Sequence, residues 1–298
     1  MMEEIYMATA LQGPGAWVPS RRRKFNLKRL LVYAGLLLGA GFFIIPFVWM
    51  ISTSLKTYME TVSYPPALFP VKVQWFNYVT ALRSIPFFRW LANSLILTLV
   101  PGFGLILSSS AAGYAFARLR FPGKNYLFIL IIATMMIPGA CYFVPTYILW
   151  YKLHAIDTYF PFIIPAFCGN AFYIFLFRQF FSSIPKELDE AAIIDGCSRI
   201  SIYYKIMIPL SKPALATAAI FSFQWSWNDF MGPLFFLFSR EKFPLALGLA
   251  ISYVNSQRVR ANELVSAAAL LFCLPLIIMF FFGQKYFTQG IVTTGLKG

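Results

Sequence analysis

The stretch Ser183-Ile184-Pro185-Lys186-Glu187-Leu188-Asp189-Glu190-Ala191-Ala192-Ile193-Ile194-Asp195-Gly196, continued by Ile206-Met207-Ile208-Pro209, decides how the rest of the chain is read. It is a polar island in an apolar sequence. Pro185 suits the first turn of a helix, where its missing N–H satisfies nothing. Glu187, Asp189 and Glu190 set negative charge against the positive end of the helix dipole. Gly196 is a natural stop. The spacing predicts a helix of about 11 residues, roughly 16 Å long at 1.5 Å per residue. That is too short to cross a bilayer, so the helix is expected to lie along a membrane surface. Leu188, Ala191, Ala192 and Asp195 are expected on one face of it, with the alanines allowing another protein to approach closely.

On either side of this island the chain is built for lipid. Of its 298 residues 59% are hydrophobic and 12% are charged, against about 45–50% apolar and about 25% charged in a soluble domain. Its 33 Phe, 16 Tyr and 7 Trp exceed what a soluble globule of this size can hide from water. A bilayer core about 30 Å thick takes roughly 20 helical residues. Six segments qualify: about Leu30–Ile51, Trp90–Phe116, Tyr126–Leu149, Tyr159–Phe177, Ala214–Phe238 and Val265–Phe282. Prolines 46, 101, 138, 145, 165, 233 and 275 fall within them and are tolerated as kinks in membrane helices. The basic cluster Arg21–Lys24 precedes an apolar run too long for a signal-peptide core.

The chain has 25 Lys and Arg against 11 Asp and Glu, for a net charge of +14. Such an excess suggests nucleic acid in a soluble protein, but here the basic residues lie between apolar blocks and orient the chain. Sixteen of them fall in the N-terminal region, the two connections around Arg118–Lys124 and Arg178–Lys212, and the C-terminal region; nine fall in the other connections. Both termini are therefore expected in the cytoplasm. The expected organisation is a cytoplasmic tail over 1–29, a six-span membrane domain over 30–284 enclosing the segment 183–209, and a cytoplasmic tail over 285–298. The connection from about Ser52 to Phe88 carries Tyr64-Pro65-Pro66 and Phe69-Pro70, and its aromatics point to a packed cap.

Several chemistries are excluded or weak. His154 is the one histidine, which removes His clusters for metal or for catalysis. Cys141, Cys168, Cys197 and Cys273 are widely spaced, without a CxxC pair, and read as small buried hydrophobes. No GxxxxGK[ST] loop is present to cradle a nucleotide, so ATP and Mg belong to a partner and no cofactor is expected on this chain. One acid, Asp229, lies within a span near its outer end. A carboxylate there is costly and reads equally as a gate or as half of a structural ion pair with Arg240. Trp225, Trp227 and Asn228 beside it suit a sugar, through aromatic faces and amides, or an interfacial aromatic belt. Asn93 reads as a candidate pathway residue or, with Ser94, Ser108, Ser109, Ser110 and Asn170, as helix–helix glue. The nine outer basic residues face four outer acids, a balance that would steer anionic ligands or merely reflect surface charge.

The ordered pattern Glu190-Ala191-Ala192, three residues, Gly196, nine residues, Ile206, one residue, Ile208-Pro209 resembles the EAA signature of ABC-importer permeases. Ile208 stands where that pattern has Leu, and Cys197 replaces a common Ala. The resemblance extends along the chain, through Asn93-Ser94-Leu95, Gly113-Tyr114-Ala115-Phe116-Ala117-Arg118, Phe121-Pro122-Gly123-Lys124, Met136-Ile137-Pro138-Gly139, Trp227-Asn228-Asp229-Phe230 and Gln284-Lys285-Tyr286-Phe287. It is similar to the carbohydrate-uptake branch, of the maltose-permease second-subunit type. His154 departs from it, standing where such subunits more often have Gly. The resemblance implies an all-α type I importer permease fold in the plasma membrane. It also implies partners: a second six-span permease, a dimer of P-loop ATPase subunits and a sugar-binding protein, with no nucleic acid. Glu190, Ala191, Ala192, Asp195, Gly196 and Pro209 would then couple the chain to the ATPase. A secondary transporter would instead want several intramembrane carboxylates and an inverted repeat.

Overall fold

A computed structural model describes residues 27–255 and 261–295; the tail over 1–26 and the last residues, 296–298, lie outside the described residues. The described residues are all helical or irregular, with no strand. The chain divides into two compact units, Met1–Val48 and Trp49–Gly298. In the first, the described backbone is one continuous helix, α1 (Leu27–Ser54), which runs on into the second unit and contains Pro46.

The second unit is organised by α4 (Phe87–Arg118), 32 residues long and the most buried of the long helices. Before it lie α2 (Tyr58–Val62) and α3 (Phe76–Ser84). After it come α5 (Lys124–Thr134), α6 (Gly139–Lys152), α7 (Phe160–Ala166), α8 (Ala171–Ser183) and α9 (Glu187–Ile194). Then follow α10 (Arg199–Leu210), α11 (Lys212–Trp227), α12 (Met231–Phe236), α13 (Leu245–Asn255) and α14 (Asn262–Gly295). Helix α10 contains a π turn over Tyr203–Met207.

Glycines let α4 take its neighbours closely. A Cβ on Gly113 would lie 2.6 Å from the Phe177 Cβ and 3.0 Å from the Arg178 backbone nitrogen of α8, and one on Gly104 2.5 Å from the Phe167 ring. Hydroxyls stitch the same helices. The Ser109 Oγ accepts from the Asn170 N–H at 3.1 Å, and Ser108 donates to the Ala166 carbonyl at 3.1 Å. Of the residues expected as helix–helix glue, Ser108 and Ser109 act so here.

Four helices among the described residues are long and apolar enough to cross a membrane: Leu31–Ser54, Phe87–Arg118, Phe160–Ser183 and Asn262–Gln284. The number rises to six if two bent pairs each count as a span. The expected third span, Tyr126–Leu149, is one of these: α5 and α6 meet at 95°. Pro138 cannot continue a helix from Thr134, and it instead precedes the first residue of α6. The expected fifth span ends early, at Trp227, where Asn228 closes α11 and the chain turns into the short α12. Helix α13 lies between the fifth and sixth expected segments, and its 11 residues are too few to register as a span. It packs on α4 so tightly that a Cβ on Gly248 would lie 2.3 Å from the Trp90 ring.

The connection before α4 is ordered by polar anchors, and of its aromatics Tyr78 joins them through a 2.8 Å hydrogen bond with Ser54. Lys56, 2% exposed, donates to the Ala67 carbonyl at 2.5 Å, and Ser52 donates to the Leu68 carbonyl. Asn77 donates to the Ser54 and Lys56 carbonyls at 2.9 and 2.8 Å. Tyr64, Phe69, Trp75 and Phe76 are exposed. The cysteines also differ from expectation: Cys141 and Cys168 are exposed, Cys197 and Cys273 half-buried, and all four are free.

Candidate functional site

The acidic helix α9 is shorter than the sequence predicts, eight residues rather than eleven, because Pro185 and Lys186 precede it and Asp195 closes it. Its three acids occupy the first turn as expected. Its end is a glycine stop: Gly196 has φ 81°, its N–H donates to the Ile193 carbonyl at 3.0 Å, and the Cys197 N–H reaches back to Ala192 at 2.8 Å. Ser198 then starts α10 by accepting from the Ser201 N–H at 3.2 Å.

The face expected to carry Leu188, Ala191, Ala192 and Asp195 is split. Ala192 turns inward, but with Asp189. Leu188, Glu190, Ala191, Ile193, Ile194 and Asp195 are exposed. The reason is Arg118, the last residue of α4. Its guanidinium donates to the Phe181 and Ile184 carbonyls at 2.7 and 2.5 Å, capping the end of α8. Its Nε lies 3.5 Å from the Asp189 carboxylate, and the two side chains are 3% and 9% exposed. Burial pushes the Asp189 carboxyl above its usual range; the Arg118 and Arg199 charges pull it down without prevailing. The Oδ1 of Asp189 has no hydrogen-bond partner among the described residues.

Around this pair, a core of Tyr114, Phe177, Phe181, Ala192, Ile202, Tyr203 and Met207 welds α9 and α10 to α4 and α8. Tyr114 donates to the Arg199 carbonyl at 3.1 Å, and Ser110 shares a 2.7 Å hydrogen bond with Tyr203. Pro209 is exposed beside the 78° bend between α10 and α11. In the sequence Arg118 counts only as an orienting cation and as the end of one family-like stretch; nothing local ties it to Asp189, 71 positions later.

The intramembrane candidates separate into two groups. A cavity of about 930 Å³ is lined by residues that include Trp225, Asp229, Tyr142, Asn170 and Tyr173. Trp225 is 77% exposed. The Asp229 Oδ1 accepts from the Gly232 N–H at 3.0 Å, and among the described residues it forms no ion pair. Arg240, the expected partner, instead faces the Trp90 ring at 5.6 Å and approaches the Ser252 Oγ at 3.4 Å.

Asn93, Trp227 and Asn228 do not line the cavity. Trp227 is buried, stacked between Phe223 and Phe272, and donates to the Phe272 carbonyl at 3.1 Å. Asn228 donates to the Gln224 carbonyl at 2.8 Å, closing its own helix. Asn93 donates to the Glu241 and Phe243 carbonyls at 2.8 and 2.9 Å, holding the connection between α12 and α13.

That connection has a second anchor which the sequence did not reveal. Asp157, with φ 57°, accepts at Oδ1 from the Phe238 and Ser239 N–H groups at 2.9 and 3.0 Å. Its Oδ2 accepts from the Ser239 hydroxyl and from Lys242 at 2.5 and 2.9 Å. Burial works to raise this carboxyl, but the bonds from Ser239, Lys242 and Phe238 prevail and hold it well below the usual range. No group of three His, Cys, Asp or Glu positioned for a metal occurs among the described residues.

Residues 32–293 match the family described as binding-protein-dependent transport system inner membrane component. The chain belongs to that family. It is 37% identical over 215 residues to the arabinooligosaccharides transport system permease protein AraQ of Halalkalibacterium halodurans, covering 71% of this chain and 75% of that protein. It is 34% identical over 252 residues to a probable ABC transporter permease protein of Pyrococcus horikoshii, covering 84% and 91%. A solved structure titled as a bacterial ABC transporter involved in the import of the acidic polysaccharide alginate superposes with a TM-score of 0.78 at 26% identity, covering 90% of this chain and 99% of that one. This inner membrane component therefore has the ABC-importer permease fold.

Proposed function

We propose that the chain is the permease subunit of an ATP-driven importer for a sugar or oligosaccharide delivered by an extracytoplasmic binding protein. It crosses the membrane six times over 30–284, with both bent pairs as spans and with the tails 1–29 and 285–298 in the cytoplasm. It pairs with a second six-span permease, and a dimer of P-loop ATPase subunits supplies the ATP and Mg chemistry. The sugar class is supported by the named arabinooligosaccharide and alginate systems among its relatives.

The observation that carries the coupling reading is the seating of α9. One side is fixed by the Arg118–Asp189 pair and the Ala192 core contact. The other side leaves Leu188, Glu190, Ala191, Ile193 and Ile194 uncovered. A short helix held this firmly moves as one body with α4 and α8. An ATPase closing on its free face would thereby tilt those helices, a rigid-body switch between two packed arrangements. Glu190 offers its charge to the ATPase, and Gly196 sets the turn into α10. Pro209 marks the bend where the motion passes into α11.

Uptake in vesicles holding the whole complex tests this. Glu190→Ala and Gly196→Pro are each expected to cut uptake at least tenfold while ATP hydrolysis continues. Wild-type uptake by either variant would overturn the coupling role.

A further inference from the structure

We infer that this subunit itself contacts the transported glycan in the α4–α8–α11 cavity, and that Asp229 restricts the cargo to uncharged sugars. The inference rests on the importer reading above. A volume of about 930 Å³ sits at the upper end of the about 300–1,000 Å³ typical of small-molecule sites, enough for more than one sugar ring.

The lining has the chemistry a neutral glycan needs. Trp225, Tyr142 and Tyr173 offer aromatic faces to the C–H faces of sugar rings. The Asn170 side chain spends its oxygen on the Phe172 N–H, at 3.0 Å, which leaves its amide NH₂ to donate. The Trp225 indole N–H and the Tyr142 hydroxyl have no hydrogen-bond partner among the described residues, so each has a bond to give.

The charge of the cavity selects among glycans. Among the described residues Asp229 is its one acid, and no Lys, Arg or His lines it. An ionised carboxylate accepts hydrogen bonds from sugar hydroxyls, but it repels a uronate, and nothing in the lining neutralises the pair. Gly232 leaves room beside it, since a Cβ there would lie 2.5 Å from the Asp229 Oδ2. The positive balance of the connections does not enter this cavity: no Lys or Arg among the described residues lines it.

The test is equilibrium binding of labelled trisaccharides to the complete permease–ATPase complex in detergent, without binding protein. The probes are neutral pentose and hexose trisaccharides and trigalacturonate. At least one neutral trisaccharide is expected to bind at least tenfold more tightly than trigalacturonate. Asp229→Asn keeps the oxygen that accepts from Gly232 and removes the charge; it is expected to shrink that ratio at least fivefold. Trp225→Ala is expected to weaken neutral binding at least fivefold. A folding defect would lower both classes alike and leave the ratio unmoved. Trigalacturonate binding as tightly as the best neutral probe, or neutral binding and ratio both indifferent to the two substitutions, would overturn the inference. Binding-protein-dependent uptake by the wild-type complex is measured in parallel. Its absence for every glycan sinks the importer reading, whereas its presence alongside either overturning result sinks this inference alone.

Discussion

Two ion pairs lie on either side of the 24-residue helical segment Phe160–Ser183, and they are built in opposite ways. Arg118 and Asp189 are almost wholly buried, 3.5 Å apart, with one carboxylate oxygen unbonded. Asp157 and Lys242 are partly exposed, 2.9 Å apart, and both carboxylate oxygens of Asp157 are saturated. Burial wins at Asp189 and raises its carboxyl, while hydrogen bonding wins at Asp157 and lowers it. The first pair holds a geometry at some electrostatic cost. The second is a stabilising clasp. A moving part that must keep its shape wants the first kind, and a loop that must stay closed wants the second.

The largest expected effect comes from breaking the buried pair. Arg118→Met strands the Asp189 charge and removes both caps on α8, for a loss of about 3–5 kcal/mol. Denaturant unfolding of the purified complex measures it. The contrast sharpens in the double variant Arg118→Met with Asp189→Leu. Replacing a whole buried pair by apolar groups is often neutral, so most of the stability should return, while uptake, on the coupling role proposed for α9, should not. Recovery of uptake as well would show that the pair serves stability alone.

The two acids should also answer pH with opposite signs. Asp157 has its folded pKa depressed, so its contribution is fully present above the ordinary carboxylate range and is lost as the pH falls toward the depressed value. Asp189 has its folded pKa raised, so the folded state binds the extra proton; acidification relieves its cost, and stability drops as pH rises from the ordinary to the raised value. Hydrogen exchange at the Phe238 and Ser239 amides, corrected for intrinsic rates, reads the clasp. Protection there should fall on acidification. Asp157→Asn should lower it by about 1–2 kcal/mol already at neutral pH, the Lys242 share being discounted for its exposure. Unchanged protection in that variant would mean that the connection is held by Asn93 and Trp90 instead.

The parts legible in the sequence are those that periodicity and punctuation encode. The apolar runs announced the long helices, three acids in a first turn announced α9, and Gly196 announced its end at φ 81°. What was not legible depended on partners distant in sequence. The inward turn of Asp189 is set by Arg118, 71 positions earlier, and the burial of Trp227 by Phe272, 45 positions later. Local composition also cannot tell a bend from a kink. Pro138 and Asn228 interrupt α5–α6 and α11–α12, whereas Pro101 and Pro275 lie inside unbroken helices. The cavity was half legible, because Trp225 and Asp229 were singled out together with Asn93 and Trp227, whose side chains the packing uses elsewhere.

The smallest expected effect concerns how the two regions turn the chain. The turn after α9 takes its left-handed residue as glycine, with no heavy atom within 4 Å of where a Cβ would sit at Gly196. The connection after α6 takes two non-glycine residues there, His154 at φ 53° and Asp157 at φ 57°. A left-handed backbone costs an L-residue about 1–2 kcal/mol. Asp157 recovers that cost through four side-chain hydrogen bonds, so glycine would be a loss at that position. His154 makes one backbone bond, to the Tyr151 carbonyl at 3.0 Å, which glycine would keep. His154→Gly should therefore relieve the strain and give back about 0.4–1 kcal/mol to the freer unfolded chain, for a net gain of about 0.5–1 kcal/mol. A small rise in the unfolding midpoint with unchanged uptake is the expected result. A fall would mean that the imidazole is held by a partner subunit, and that strain at this turn, like that at Asp157, is offset by contacts.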